Sequence, residues 1–422
     1  MNKPARAAAH LAGTGSRATA RIALLCLLAV VLAAGSAAAT AYSTLQGNIT
    51  QANVDQLLGT DRPSAATTDP TDPNAGRALN ILVLGSDVRT GAEAEEVEGM
   101  RADTTMLFHI SADRSRVEVV SIPRDTLVDM PSCTVMKSDD PNDTYETGEK
   151  HNVMFNAAFS YGGADGQIAS AAACSMRTVE AMTDIYLDGF VVVDFTSFKT
   201  LVNALGGVPM YFDEDMVDTM AGLNISAGCR LLHGDQALAL ARARYQLGDG
   251  SDISRIGRQQ ELVTAMIKEI MEMNLLTNAT KLYKVLDVAT ASLTTSEGFG
   301  NISNLVGLAN SLKDLSLDNV TFVTMPWQYE GARVRPTAAA DDLWKVISED
   351  HPFTVKKDAN GVITSVTDTS ATSSASASGS KSTGGTSTSE TTSKPTSAAT
   401  VVPSTTEATT TAPVCTRDNA QG

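Results

Sequence analysis

Basic residues are scarce in this sequence. Its 32 lysines and arginines stand against 48 aspartates and glutamates, which gives a formal net charge of −16. Proteins that bind nucleic acids need a basic face to displace the counterions of the phosphate backbone. The charge balance therefore excludes a nucleic-acid partner, and it suits a protein that remains soluble outside a cell.

Several motifs of common enzymes and metal sites are also missing. There is no CxxC pair, which argues against a zinc knuckle. No GxSxG surrounds a serine and the five histidines are scattered, so a serine hydrolase is disfavoured. His109 lies in a strand-like run and is interpreted as a packed residue. The sequence contains no GxxxxGK[ST], which disfavours an ordinary kinase or ATPase.

The cysteines allow two interpretations. In an oxidising compartment Cys133 and Cys174 could pair, which leaves Cys229 without an explanation. The alternative is that all the cysteines are small, buried apolar residues. The sequence alone does not decide between the two.

The N-terminus predicts a membrane anchor. Residues 1–21 carry basic but no acidic side chains, and the uncharged, apolar run 22–42 follows them. At about 1.5 Å per residue, this run spans a hydrocarbon core of roughly 30 Å. The basic flank places residues 1–21 in the cytoplasm and the rest of the chain outside. A signal peptide cleaved after the small residues 37–40 is the alternative, and it exports the same part of the chain.

Composition divides the remaining chain into three parts. Residues 43–77 are polar and lack periodicity, so we expect a stalk. Residues 356–422 are mostly Ser, Thr, Ala and Gly, and we expect a disordered tail because little there can be buried. Residues 78–355 form the predicted folded body.

Strand-like and helix-like patterns alternate along the body. Short aliphatic or β-branched runs predict buried strands at 79–85, 104–110, 117–122, 188–194, 207–211 and 319–324. Apolar residues spaced by three and four predict amphipathic helices at 166–183, 195–205, 252–273 and 339–349. The expected fold is α/β, a single layered α-β-α domain with a mixed central sheet, preceded by one transmembrane helix.

Arginines and aspartates recur at the predicted strand ends. GSDVR (85–89) follows the first strand, MRADT (100–104) precedes the second, and SIPRDT (121–126) ends the third. Each could be a simple turn with a solvated arginine. Open α/β sheets, however, place their ligand sites at such strand ends.

A fourth group is rich in arginine and lacks lysine. It contains Arg242, Arg244, Arg255 and Arg258, with Gln259 one turn after Arg255 on the same predicted helical face. If the chain is extended at 242–244, Arg242 and Arg244 point the same way. Clustered arginines favour bidentate binding of phosphate. The alternative is a structural salt-bridge network with Asp249 and Asp252.

In order along the chain, these motifs resemble the LytR–CpsA–Psr proteins. The resemblance covers about Leu79 to Ile270 and also includes FNAAFSYGG (155–163), VVVDFTSFKTLVNALGGV (191–208) and ARARYQLGDGSDISRIGRQQ (241–260). It implies a type II membrane protein of mixed α/β fold, with an apolar groove for a polyprenyl chain. The implied reaction transfers a glycan phosphate from a polyprenyl-pyrophosphate carrier to peptidoglycan and releases polyprenyl phosphate, with Mg²⁺ as cofactor.

The resemblance also assigns residues. Asp87 and Asp103 match the magnesium carboxylates. The pyrophosphate-binding set is matched by Arg101, Arg124, Arg242, Arg244, Arg255 and Gln259. Asp103, Arg124 and Arg101 would act in catalysis. Asp103 is the candidate to take the proton of the acceptor hydroxyl, and activation of that hydroxyl by the metal is the rival account.

Two other functions would use much of the same site. A pyrophosphatase acting on polyprenyl-pyrophosphate lipids would replace the sugar hydroxyl by water. A non-catalytic lipid-binding wall regulator would only recognise the pyrophosphate. The pair Asp87 and Asp103 argues against a pure binder, because many arginines alone would hold a pyrophosphate without a metal.

Overall fold

The structure is a computed structural model. It describes residues 15–65, 76–87, 100–138, 140, 142–244, 252–273, 278–291, 293–297, 299–370 and 415–421. The statements below concern these residues.

Helices and strands alternate through most of the chain. The α-helices are α1 (Gly15–Asn48), α2 (Asp55–Leu58), α3 (Ala157–Gly162), α4 (Ile168–Thr183), α5 (Phe195–Ala204), α6 (Gly234–Arg242), α7 (Asp252–Glu272), α8 (Ala279–Ala291), α9 (Ile302–Ser311) and α10 (Ala338–Ser348). The central-sheet strands are β1 (Thr50–Ala52), β2 (Leu79–Ser86), β3 (Ala102–Ile110), β4 (Val117–Ser121), β9 (Gly189–Asp194), β14 (Leu293–Ser296) and β15 (Val320–Thr324).

The remaining strands form two-stranded ribbons around the sheet. They are β5 (Leu127–Met130) with β8 (Lys150–Met154), β6 (Thr134–Met136) with β7 (Thr144–Glu146), β10 (Val208–Phe212) with β13 (Gly228–Leu232), β11 (Met216–Asp218) with β12 (Leu223–Ile225), β16 (Trp327–Glu330) with β17 (Arg333–Pro336), and β18 (Phe353–Lys357) with β19 (Ile363–Asp368).

The central sheet is mixed, with the order β1-β14-β9-β2-β3-β4-β15. β2 runs parallel to β9 and antiparallel to β3, and β15 runs parallel to β4. β2 and β4 are aliphatic and largely buried, as strands covered on both faces must be. The strands and amphipathic helices predicted from the sequence are present, with ends shifted by a few residues.

Helices cover both faces of the sheet, so the predicted α-β-α layering is confirmed. Leu82 packs on one face with Met176 of α4 and Leu343 of α10. Ile81, the preceding residue, packs on the other face, where Val263 of α7 and Leu308 of α9 complete the core. Successive strand residues point to opposite faces, which is why one aliphatic strand serves both layers. A further core lies between α5, α6, α7 and the β10–β13 ribbon.

The prediction of a stalk over 43–77 is wrong for its first part. Leu45 and Ile49 are buried against Ile302, and β1 pairs in parallel with β14 at the sheet edge. Val54, Leu57 and Leu58 belong to the main core. The few apolar residues of this segment are spaced irregularly among polar ones, so composition concealed their burial. Residues 66–75 lie outside the described part of the chain.

The predicted boundary of the body at 355 is also wrong. β18 and β19 form an antiparallel hairpin, and Ile363 is buried in the main core. Farther along, residues 415–421 return to the body, where the backbone of Gln421 bonds to Cys229 and Leu231 on β13. These residues are not the disordered tail that the sequence predicted. Residues 371–414 lie outside the described part of the chain.

Two disulfides account for the cysteines after the anchor. Cys133 pairs with Cys174, which confirms one of the two interpretations of the sequence. Cys229 pairs with Cys415 across a sequence separation of 186. Cys26 is free and exposed. The second disulfide explains the cysteine for which the sequence offered no partner.

The first helix contains an apolar segment of membrane-spanning length. Leu24–Asn48 has a mean hydropathy of 2.3, and its most apolar stretch is not buried against the rest of the protein. Leu24, Leu28 and Leu32 are among its exposed side chains. The helix continues without interruption past Tyr42, where the predicted span ends, and its last turns pack on the body.

Candidate active site

The carboxyl end of β2 and the start of β3 bring Asp87 and Arg101 together. The N–H of Arg101 donates to Asp87 Oδ1 at 2.8 Å, and the N–H of Asp87 donates to the Arg101 carbonyl at 3.1 Å. Ser86 Oγ donates to the same carbonyl at 3.1 Å. Burial raises the pKa of Asp87, the Arg101 N–H opposes this shift, and the Asp103 charge adds to it. A nearby cation would relieve this cost of ionisation.

Arg124 links the end of β4 to the start of β3. Its Nη1 donates to Asp103 Oδ1, while its Nε lies 3.4 Å from Asp252 Oδ1 and 3.7 Å from Asp125 Oδ1. Burial alone would lower the pKa of Arg124, but the carboxylates of Asp103, Asp252 and Asp125 outweigh it and raise that pKa. The guanidinium is thereby held charged among three carboxylates.

The first turn of α7 contributes a buried ion pair. Arg255 is 4% exposed and Asp252 7% exposed, and Arg255 Nη2 donates to Asp252 Oδ1. Burial lowers the pKa of Arg255 and raises that of Asp252, and each partner opposes the shift of the other. The salt-bridge network that the sequence left open therefore exists around Asp252. Asp249 lies outside the described residues.

Gln259 and Arg258 hold the last turn of α6 and the residue that follows it. Gln259 Nε2 donates to the Ala241 carbonyl at 3.0 Å, and Arg258 Nη2 donates to the Ala243 carbonyl at 2.6 Å. The N–H of Arg244 donates to Asp218 Oδ2 at 2.8 Å, and the Arg244 charge acts on both Asp252 and Arg255. Arg244 thus belongs electrostatically to the cluster, and Gln259 positions the backbone that carries it.

The expectation that the chain is extended at 242–244 is wrong for Arg242. This residue ends helix α6, and the backbone leaves helical geometry only at Ala243, with φ −59° and ψ 133°. The guanidinium carbon of Arg242 lies 4.8 Å from the centre of the Phe195 ring. α6 begins with a capping box formed by His233 and Gln236. The alanines and leucines that follow favour a helix. Arg242 is exposed and lies over the ring of Phe195. No contact among the described residues joins it to the buried arginines.

Within the described residues, several buried atoms of the cluster make no hydrogen bond. They are Arg124 Nε, Arg255 Nε and Asp252 Oδ2. Buried polar groups are normally hydrogen-bonded, and a guanidinium presents its N–H groups in a fork that fits phosphate oxygens. Two buried guanidinium Nε–H groups that make no hydrogen bond, in one charged cluster, suit an anionic ligand with several oxygens.

The carboxylates at this edge fit Mg²⁺ in part. Of the described side chains, only Glu349, His351 and Asp368 come close enough to offer a three-ligand metal group, and they lie at the β18–β19 hairpin. Asp87 and Asp103 supply two carboxylates beside the arginines. Mg²⁺ is commonly held by one or two carboxylates together with substrate phosphates, so the pair fits that mode rather than an all-protein site.

The sequence-based assignment includes no role for Asp125 in the cluster, and Asp252 enters it only as a partner in the alternative salt-bridge network. Asp252 bridges Arg255 and Arg124, and Asp125 lies between Arg124 and Arg333, with 3.3 Å between its Oδ1 and Arg333 Nη1. The spacing of Asp252 and Arg255 by three on a helix was a usable signal for their pairing. The contact with Arg333 joins residues more than 200 positions apart, and no local pattern indicates it.

A cavity of about 660 Å³ lies along the outer side of α7. Its apolar lining includes Met210, Ala265 and Phe322, while Glu261 and Lys268 are charged. Gln260, also in the lining, donates to Ser121 Oγ at 2.9 Å at the carboxyl end of β4. Gln260 therefore connects the lining of the cavity to the end of β4, and the cavity walls are of mixed polarity.

With this geometry established, the chain can be compared with known proteins. A sequence model of the LytR_cpsA_psr family matches residues 41–347. The chain belongs to this family. The match begins near the end of α1 and includes the packed segment before β2, in agreement with the burial of that segment.

Named relatives in this family act in cell wall biosynthesis. The cell wall biosynthesis protein LcpA of Corynebacterium glutamicum is 29% identical over 266 residues, which cover 60% of this chain and 50% of LcpA. The polyisoprenyl-teichoic acid–peptidoglycan teichoic acid transferase TagT of Bacillus subtilis is 30% identical over 244 residues, 56% of this chain and 66% of TagT. The aligned part of this chain thus spans about half the length of LcpA.

A solved structure supports the fold of this LytR_cpsA_psr domain. A protein of Streptococcus agalactiae superposes with a TM-score of 0.50 at 21% identity, covering 65% of this chain and 88% of the other. The mixed α/β architecture is thus shared at low sequence identity.

Proposed function

We propose that this protein transfers a glycan phosphate from a membrane-bound polyprenyl-pyrophosphate carrier to peptidoglycan and releases polyprenyl phosphate. The observation that carries the proposal is the convergence of Asp103, Arg124, Asp252 and Arg255 at one end of the central strands, with buried guanidinium Nε–H groups that make no hydrogen bond. Related proteins named as polyisoprenyl-teichoic acid–peptidoglycan transferases support the class of reaction.

The proposed reaction exchanges one phosphorus–oxygen bond for another. An acceptor sugar hydroxyl attacks the phosphorus next to the glycan, and the bond to the polyprenyl phosphate breaks. The hydroxyl proton leaves, and polyprenyl phosphate departs with the bonding electrons. No protein nucleophile is needed, because this chemistry depends on positioning and on stabilising charge.

Arg124, Arg255 and Arg244 would bind the pyrophosphate oxygens and stabilise the charge that develops on them. Arg255 is held by two acceptors, Asp252 Oδ1 and the Asp103 carbonyl. Arg101 and Arg242, which are both exposed, would contact the more solvated part of the substrate. Gln259 would act through the backbone of α6 that it fixes.

Asp87 and Asp103 would hold Mg²⁺, which supplies Lewis-acid stabilisation of phosphate oxygens when bound. Oδ1 of Asp103 accepts from Arg124, which orients the carboxylate and leaves its second oxygen directed elsewhere. That oxygen is the proposed acceptor of the hydroxyl proton. Asp87 is fixed by the N–H of Arg101, so both carboxylates are positioned before substrate binds.

We further propose that α1 anchors the protein in the cell membrane as a single pass, with the domain on the outside. Support comes from the place where α1 enters the sheet. Thr50 aligns with Thr294, Thr294 with Val192, and Val192 with Leu84, three residues before Asp87. The site therefore lies at the same end of the sheet as the helix exit, roughly 14 Å away at about 4.8 Å per strand. A lipid carrier in that membrane would be within reach.

The full chain, reconstituted with lipid-linked glycan, Mg²⁺ and peptidoglycan, tests the proposal. We expect wall-bound glycan phosphate together with free polyprenyl phosphate. Release of glycan phosphate into solution without peptidoglycan would instead identify a pyrophosphatase. Binding of the carrier without release of any product would identify a regulator.

A further inference from the structure

Helix α9 carries no charge and is covered on one side only. The sequence from Phe299 to Leu312 contains no acidic or basic residue. Ile302 is its one buried residue, and Leu305 packs beside it on α1, while Leu308 packs on the sheet. An outer face remains exposed, formed by Ser303, Val306, Gly307 and Asn310 at helical spacing. Val306 is 53% exposed.

The end of α1 is built into the domain next to this helix. Gln46 Nε2 donates to the Gly300 carbonyl at 2.8 Å, and Gln46 Oε1 accepts from the N–H of Ile302, the first residue of α9. Asn48 Nδ2 donates to Asp287 of α8 at 2.9 Å. Gln51 fills the space over Gly300, where an added Cβ would lie 2.3 Å from its side chain. The anchor helix and α9 are therefore joined directly, without a flexible connection.

Helix length places this joint close to the membrane. From Leu24 to Tyr42 a helix rises about 27 Å at 1.5 Å per residue, nearly the whole hydrocarbon thickness. Leu45, which packs on α9, lies about 5 Å farther along. The headgroup region beyond the hydrocarbon is roughly 5–8 Å deep on each side. The part of α9 that contacts Leu45 thus reaches the depth of the lipid headgroups.

We propose that the outer face of α9 lies against the headgroup region of the membrane that holds α1. The inference rests on the proposed anchoring role of α1, and it commits to lipid as the partner because α9 packs directly against the end of that helix. An uncharged face of small polar residues with one valine suits the headgroup boundary better than the hydrocarbon core. Exposed Tyr42 at the helix exit and Tyr283 on α8 are residue types enriched at that depth.

This contact would fix the orientation of the domain relative to the membrane. Because α1 is continuous from the membrane into the sheet edge, the site would keep a constant height above the lipid. A carrier pyrophosphate, which also sits at headgroup depth, would then meet the arginines without a large movement of the domain. The role of the α9 face is therefore to orient the domain toward its substrate.

Depth-dependent fluorescence quenching tests the contact. The full chain carrying Val306→Trp is reconstituted in phosphatidylcholine vesicles whose acyl chains are brominated near the headgroup. The matched control is Thr354→Trp, on the exposed β18 hairpin that packs with α10 on the opposite face of the sheet. Both retain the buried Trp327 and Trp344 as a common background. Asn310→Trp is a second reporter in case Val306→Trp does not fold.

We expect the bromolipid to reduce the emission added by Trp at 306 or 310 at least twofold, and to leave that at 354 nearly unchanged. Equal quenching at both places would overturn the proposal, as would a blue-shifted, unquenched Trp at 306, which would indicate a second protein copy on this face. Failure of the wild-type chain to float with vesicles would reject the anchor and the contact together. If the Trp variants are quenched as expected but the wild-type chain does not catalyse transfer, the proposed function alone is rejected.

Discussion

The guanidinium of Arg255 donates from Nη2 to the backbone carbonyl of Asp103 at 2.9 Å, so the first turn of α7 is bonded to the start of strand β3. Residues more than 150 positions apart in the chain thereby share one site. The bond uses the backbone of Asp103 and leaves its carboxylate to Arg124. Side-chain variants at 103 should consequently change the chemistry without breaking this connection.

Asp103→Asn should abolish Mg²⁺-dependent transfer while the domain stays folded. We expect turnover to fall by at least about 100-fold, because a charge that positions metal and phosphate is lost. Stability should change by only about 1 kcal/mol, since the pair with Arg124 is partly exposed. Transfer assays at fixed Mg²⁺ and thermal unfolding measure the two effects. Wild-type turnover in the variant would remove Asp103 from the site.

Arg255→Ala should destabilise the protein as well as weaken binding. The change leaves Asp252 buried without its main partner, which typically costs about 3–5 kcal/mol. Adding Asp252→Asn should restore part of the stability but not the affinity for a polyprenyl pyrophosphate. Arg255→Lys should retain the charge and recover binding only partly, because an ammonium lacks the forked contact. Full affinity in the lysine variant would contradict bidentate binding.

The two ends of the C-terminal region should respond differently to truncation. A stop after Thr364 cuts β19 and should unfold the hairpin that buries Ile363. A stop after Ser370 keeps the hairpin but removes Cys415 and Arg417, whose guanidinium pairs with buried Glu269. We expect the second truncation to lose about 2–4 kcal/mol, a typical disulfide contribution, and to retain transfer. Loss of transfer at unchanged stability would place the C-terminal residues in the catalytic unit.

Asp350→Asn provides a pH-dependent control far from the site. Burial acts to raise the pKa of Asp350, but hydrogen bonds with His109 and the Ala112 N–H, together with Arg116, lower it. A lowered carboxyl pKa stabilises the fold above the unfolded value of about 3.9, and this contribution disappears as the pH falls through the folded value. Asparagine tolerates the left-handed backbone at this position.

At pH 7 we therefore expect Asp350→Asn to lower the melting temperature by about 2–4 °C, the equivalent of roughly 1 kcal/mol. The difference from wild type should shrink below pH 4, and transfer should be normal. A difference that is constant down to pH 2 would show that the charge of Asp350 does not contribute. A loss of transfer would show that this network communicates with the site.

Affinity should depend on the length of the isoprenoid chain. A groove that buries the carrier contributes about 0.8 kcal/mol for each CH₂ it removes from water, whereas the phosphate contacts contribute a constant amount. Binding of a graded series of polyprenyl pyrophosphates, kept below their micellar concentrations, measures this dependence. We expect a steep rise that levels off when the groove is full. A flat dependence would favour a soluble pyrophosphate as the ligand.

The sequence predicted the parts of the fold that local patterns encode. The aliphatic strands before Asp87 and Arg124, and the amphipathic helix that carries Arg255, could be located because their periodicity is strong. The positions of the charged motifs at strand ends followed from that. What those charges contact could not be read, because Asp252 is a partner of two arginines only in three dimensions.

Some features of the structure could not be predicted from the patterns used for the sequence. The disulfide between Cys229 and Cys415 joins a turn-rich ribbon to a segment after a Ser/Thr-rich stretch, and spacing alone does not specify such a pairing. Arg242 was expected in extended chain with Arg244, but the helix-favouring residues before it continue α6 to that position. In the first case a long-range contact decided the outcome, and in the second the helix propensity of the residues before Arg242 did.

The positions of the two disulfides imply an order of events during secretion. If the chain crosses the membrane from its N-terminus, Cys133 and Cys174 emerge early and can close across 41 positions. Cys229 then stays a reduced thiol until Cys415, 186 positions later, has crossed the membrane. Early closure of the first pair would remove the two thiols with which Cys229 could mispair. The later arrival of Cys415 would place closure of this second disulfide after the whole segment between Cys229 and Cys415 has crossed the membrane.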